Sequence, residues 1–110
     1  MNVTVEARHM EVTDAMRDYV QSKIAKLPRY YDSIQSVEAV LDREADHTVV
    51  EIVVTARRKA TFVATHRDPD MYAGIDQCLH KISEQLRRHK DKVRDRQAAP
   101  PRSAEGGPRP

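Results

Sequence analysis

Glycine is scarce in this chain: there are three in 110 residues, and only Gly74 lies within a periodic segment, Gly106 and Gly107 falling near the C-terminus. No glycine-rich loop is available to wrap a phosphate in backbone amides, which excludes nucleotide hydrolysis of the P-loop kind. Cysteine occurs once, at Cys78, so no internal disulfide can form. Tryptophan is absent and phenylalanine occurs once, so the core has to be built mainly from aliphatic side chains. No apolar run approaches the roughly 20 residues of a membrane helix. The opening MNVTVEARH enters strand-like alternation at once, without a signal-like apolar stretch. A reducing, cytoplasmic setting away from membranes is the expectation. Charge of one sign is not in excess either: 19 Lys and Arg against 17 Asp and Glu leave +2. A case for an anionic partner therefore rests on where the charges sit.

What is present is a chain long enough for one compact domain. Val3, Val5 and Ala7 alternate with Asn2, Thr4, Glu6 and Arg8, the period of a strand with one buried face. Thr13 and Asp14 offer cap oxygens ahead of Met16, Val20, Ile24 and Leu27, one apolar stripe of a helix ending near Pro28. Val37, Ala39 and Leu41 mark a second strand, with Val40 on its other face. VVEIVVTA marks a third, expected to be central. ARRKA reads as a hairpin turn lacking glycine, and TFVATHR as the fourth strand. From about Asp70 to about Asp95 a long helix aligns Met71, Ile75, Cys78, Leu79, Ile82, Leu86 and Val93 on one face. The order β-α-β-β-β-α predicts an α+β domain over residues 1–96, its four-stranded sheet carrying both helices on one face and leaving the other largely wet. Residues 97–110, rich in proline and glycine, are expected to be a mobile tail.

Basic residues border the apolar stripe of the second helix on both sides, Lys81, Arg88 and Lys92 on one flank and Arg87, Lys90 and Arg94 on the other. In the first helix Lys23 and Lys26 stand beside the stripe, near Tyr19. Joined in one groove, these cations would suit an RNA backbone, because Lys and Arg neutralise phosphates and release condensed counterions. Arg57, Arg58 and Lys59 add a third cationic point. The same residues also read as a solvated helix face whose last turns answer the negative end of the helix dipole.

Catalysis is not expected. A nucleophile beside a base, or paired carboxylates, are not apparent in the pattern. His9, His47, His66, His80 and His89 are scattered without ligand spacing and read as surface or edge residues, so no metal and no cofactor is anticipated. Cys78 lies on the apolar stripe, where a thiol behaves as a small hydrophobe.

Asp70-Met71-Tyr72-Ala73, Ile75-Asp76, Lys81-Ile82, Gln85-Leu86 and His89-Lys90-Asp91-Lys92, together with Val12-Thr13 and Lys23-Ile24-Ala25-Lys26-Leu27, resemble the short ribosome hibernation factors of the sigma-54 modulation family. The likeness covers about residues 2 to 94. It implies the same β-α-β-β-β-α fold, with both helices on one side. It also implies a non-catalytic protein that binds the small ribosomal subunit and its 16S-type RNA in the channel used by mRNA and tRNA at the A and P sites, silencing idle ribosomes. Lys23, Lys26, Lys81, Arg87, Arg88, Lys90 and Lys92 match basic positions of the pattern and are the implied rRNA contacts. Arg57, Arg58, Lys59 and Arg94 are further candidates, although the family turn usually holds glycine where this one has none. Asp70 reads as an N-cap and Met71 as core, whereas Tyr72 either caps the sheet edge or stacks on a base. Longer members carry a second domain that pairs ribosomes, and the inhibitor subtype carries an acidic tail. Ending in a proline-rich tail, and through HKDK, this chain resembles the short promoting type. Two other readings remain at this point: a protein-binding modulator of a transcription factor, and a general double-stranded RNA binder.

Overall fold

The computed structural model describes residues 1–98, with side chains through Lys92. The elements run β1 (Asn2–Arg8), α1 (Asp14–Ile24), β2 (Ile34–Glu44), β3 (His47–Ala56), β4 (Thr61–Asp68) and α2 (Met71–Ala98). This is the expected order. The expected tail lies, from residue 99, outside the described residues, as do the side chains of Val93 and Arg94. Gln97 and Ala98 still belong to α2, which passes the expected end near Asp95.

The sheet order is β1-β2-β3-β4. β1 runs parallel to β2, as the α1 crossover between them requires, and the other pairs are antiparallel. Strand period two does the sorting: Val5, Val37, Ala39, Leu41, Val50, Ile52, Val54, Phe62 and Ala64 point to one face and are buried there. α1 brings Met16, Val20 and Ile24 to that face, and α2 brings Met71, Ile75, Cys78, Leu79, Ile82 and Leu86, all in one apolar cluster. At about 1.5–3 kcal/mol for each large aliphatic side chain taken from water, this layer dominates the folding energy.

Local chemistry sets the boundaries. Thr13 Oγ1 accepts the Met16 amide at 3.1 Å, capping α1 as its sequence predicts. The α-helix stops at Ile24, short of the expected Pro28, and Leu27–Arg29 form a separate 3-10 turn with Pro28 inside it. The proline has no amide to continue the α-helical ladder, so the tighter turn takes over and still buries Leu27. Asp70 Oδ1 accepts the Tyr72 amide at 3.3 Å at the start of α2, in keeping with its expected capping role. Thr48, buried among apolar residues, donates its hydroxyl to the Asp68 carbonyl at 2.7 Å and so avoids an unpaired polar group.

The opposite sheet face is less wet than its alternation predicts. Val40 is buried there, Val49 and Val53 are half-buried, and Val63 is 48% exposed. Val40 pairs laterally with Glu6 and Glu51, whose aliphatic stems can cover it while their carboxylates remain in water. No described helix is long and apolar enough to cross a membrane.

Candidate nucleic-acid interface

The two helices lie side by side over the sheet, and polar residues join the middle and last turn of α1 to the second turn of α2. Tyr19 of α1 donates its hydroxyl to Asp76 Oδ1 of α2 at 2.7 Å. Lys23 Nζ stands 3.9 Å from the same oxygen and 5.3 Å above the Tyr19 ring. The Tyr72 ring meets Tyr19 edge to face at 4.9 Å, a contact between helices that neither reading of Tyr72 anticipated. The hydrogen bond to Asp76 is the main reason the Tyr19 phenol is pushed up to about 12, because ionisation would remove the proton it donates; desolvation and repulsion between the two anions add to this.

Beyond this junction the helices leave a groove of about 270 Å³. Lys23 lines it from α1 and Lys26 from just beyond the end of that helix, and Asp76, Leu79, His80 and Ser83 from α2, with Leu27 and Tyr30 completing it. Helical spacing continues the α2 wall from His80 and Ser83 to Arg87 and Lys90. The groove expected for Lys23 and Lys26 therefore takes its α2 partners from this flank.

Lys81, Arg88 and Lys92 belong to the other flank, above the edge strand β4. Lys81 donates to the Thr65 carbonyl at 2.9 Å and Gln85 to the Val63 carbonyl at 2.9 Å, so both occupy acceptors that the edge would otherwise offer to another strand. Arg88 Nε reaches the Glu84 carbonyl at 3.4 Å, and Arg87 pairs with the Glu84 carboxylate. A wider cleft of about 580 Å³ opens on this side, lined by Phe62, Gln85, Arg88, His89, Asp91 and Lys92. His89, expected at the surface, is half-buried with its ring edge to face against Tyr31 at 5.1 Å and Phe62 at 5.2 Å.

The turn Arg57–Lys59 joins the same end of the molecule. The Arg57 amide bonds the Ser33 carbonyl at 3.0 Å just ahead of β2, and all three side chains are exposed. Arg58 and Lys59 adopt φ of 62° and 63°, so the turn is closed by two left-handed residues where glycine would carry less strain. The C-terminal part of α1 with its 3-10 turn, the β3–β4 turn and the second half of α2 thus converge around the start of β2. Lys26, Arg29, Arg57, Arg58, Lys59, Arg87, Arg88, Lys90 and Lys92 gather there with few acids, chiefly Asp32, Glu84 and Asp91. The opposite end, made by the starts of both helices and the β2–β3 turn, carries Glu11, Asp14, Asp18, Asp42, Glu44, Asp46, Asp68 and Asp70 against Arg8, Arg17, Arg43 and Arg67, the last paired with Glu44 at 2.9 Å, and so keeps an acidic excess. A near-neutral chain is therefore strongly divided in space.

Periodicity did not reveal the Tyr19–Asp76 bond, Tyr30 in the groove, or His89 between two rings. Tyr19 and Asp76 are 57 positions apart, and nothing in local spacing connects them. Cys78 is buried as its stripe position predicts, and desolvation pushes its thiol up to about 12, leaving it a poor nucleophile. No group of three or more His, Cys, Asp or Glu able to hold a metal occurs among the described residues.

Comparison with known proteins agrees with this architecture. The chain is 38% identical over 97 residues to a ribosome hibernation promoting factor of Azotobacter vinelandii, spanning 88% of this chain and 90% of the relative. It is 35% identical over 101 residues to that of Escherichia coli K12, spanning 86% and 98%. The Protein Y N-terminal domain of Thermus thermophilus superimposes with a TM-score of 0.74 at 33% identity, over 81% of this chain and 99% of that one. A ribosomal subunit interface protein of Coxiella burnetii, at 22% identity and a TM-score of 0.74 over 83% of this chain and 99% of that one, shares the fold. Residues 3–94 match the family model described as sigma 54 modulation protein / S30EA ribosomal protein, and the chain belongs to that family.

Proposed function

We propose that this protein is a cytoplasmic ribosome hibernation factor that occupies the mRNA and tRNA channel of the small ribosomal subunit at the A and P sites and blocks translation without catalysis. The observation that carries the reading is the separation of charge, which places basic side chains from the 3-10 turn after α1, from α2 and from the β3–β4 turn at one end. Such a surface is drawn to phosphate, and each phosphate it neutralises releases counterions. The acidic end faces the other way and orients the approach. The names of the relatives support the ribosome as the target.

Lys23, Lys26, Arg87, Lys90, Arg88 and Lys92 are assigned to phosphate contacts, with Arg57, Arg58 and Lys59 extending the surface. Lys81 is included in the same role, although its bond to the β4 edge also gives it a structural one. Exclusion of tRNA and mRNA follows from occupancy, since the rigid sheet holds both helices in fixed positions.

The combined variant Lys26→Glu, Arg88→Glu and Lys92→Glu tests this. All three side chains are exposed and outside the core, so stability should change by no more than about 0.5 kcal/mol per site. Binding to isolated small subunits should be lost at physiological salt. In the parent, the logarithm of affinity should fall linearly with the logarithm of salt, at roughly 0.7–0.9 per phosphate contact. Full binding by the folded triple variant would remove the cationic face as the contact surface.

A further inference from the structure

The groove between α1 and α2 is chemically graded in a way that phosphate tracking does not require. We infer that it is a pocket for one unpaired nucleotide of the bound RNA, taking the phosphate on its α1 wall and the base inside. The inference rests on the proposal that the helix face meets ribosomal RNA, and it adds base recognition to what is otherwise a backbone-binding surface.

Three observations support it. The groove's volume of about 270 Å³ falls just under the roughly 300–1,000 Å³ of pockets that take whole small ligands. That is room for one nucleotide and far too little for a helix. Its wall on the α1 side holds Lys23 and, just past the helix end, Lys26, while Leu27, Leu79 and the Tyr30 ring supply apolar surface suited to the face of an unstacked base. The α2 wall carries Asp76, a carboxylate among cations, with its side chain 47% exposed. In a groove built for phosphate alone that negative charge, beyond the bond it accepts from Tyr19, repels the ligand and is a liability. A carboxylate has a use where a base presents N–H donors. Tyr19 and Lys23 both address Oδ1, so Oδ2 remains an acceptor for a base edge, with the Ser83 and His80 side chains lining the same wall. The wider cleft beyond α2 is less suited, because its Phe62 and His89 rings already pack on each other.

Two readouts on the full chain test the pocket. Nucleoside 5′-monophosphates are titrated into isotope-labelled protein beside ribose 5-phosphate and inorganic phosphate. Amide shifts at Lys26, Leu79, His80 and Ser83 that appear only with the base-bearing probes are expected. Equal shifts with ribose 5-phosphate would overturn the pocket and leave a plain phosphate site. Ser83→Phe, which fills the groove without removing a cation, should weaken small-subunit binding on the order of tenfold with an unchanged salt slope. Parent-level affinity in that variant, shown to be folded by circular dichroism, would overturn the inference as well. Failure of the parent to bind small subunits would instead remove the proposed function, and the monophosphate titration would still decide the pocket.

Discussion

Ala45 turns the β2–β3 hairpin with φ of 54°, a two-residue turn between the Glu44 and His47 pair. An L residue in the left-handed region costs roughly 1–2 kcal/mol, and glycine's extra freedom in the unfolded chain returns roughly 0.5–1 of that. Ala45→Gly is therefore expected to stabilise the protein by about 0.5 kcal/mol or slightly more, read as a higher urea midpoint at constant m. A lower midpoint would mean that the turn is not strained as described. Tyr19 gives a second residue-scale expectation. Its phenol, held up to about 12 by the bond to Asp76, stays protonated in the folded state at pH values where an unfolded tyrosine ionises. This stabilising contribution is complete below pH 10 and is lost as pH rises toward 12. In a spectrophotometric titration one tyrosine should ionise late, and Asp76→Ala should return it toward the ordinary range; a titration unchanged by that substitution would contradict the bond. The EADH stretch was legible as a turn, but the sign of Ala45's φ was not, because composition marks turns without specifying the handedness of each residue.

At the scale of the element, α2 shows what periodicity can and cannot supply. Its buried face was legible from Met71 to Leu86 because the spacing of 3.6 residues per turn dictates it. The crossing of α2 over β3 was not, since it depends on one close approach. A Cβ added at Gly74 would meet Val50 Cγ2 at 3.3 Å, with Asp68 Cβ at 3.6 Å and Thr48 Oγ1 at 3.8 Å behind it. Val50 and Thr48 are themselves buried and have little room to give way. Alanine at position 74 would improve helix propensity by about 0.8–1.0 kcal/mol, while overpacking costs about 1–3 kcal/mol. Gly74→Ala is expected to destabilise by about 1 kcal/mol, measured by denaturant unfolding. A gain in stability would show that the helix sits further from the sheet. The flanks of α2 illustrate the same limit: spacing identified two basic borders, but only tertiary structure shows that Lys81 serves the β4 edge while His80 and Ser83, on the flank that helical spacing continues to Arg87 and Lys90, line the groove.

For the whole molecule, a formal charge of +2 conceals a division into a cationic and an acidic end. No window along the chain displays it, because the cationic end is assembled from the 3-10 turn after α1, the β3–β4 turn and α2, and the acidic end from the starts of both helices and the β2–β3 turn. The fold class was legible because alternation, capping and an uninterrupted helical stripe all pointed to one architecture. The charge division became visible only once the sheet register set which ends meet. That division carries the account of occupancy on the ribosome, and its most direct test is co-sedimentation with separated small and large subunits at low and physiological salt, with tRNA as competitor. Binding confined to the small subunit, weakened by salt and displaced by tRNA, is the predicted result. Binding to neither subunit, or to the small subunit without competition from tRNA, would contradict it.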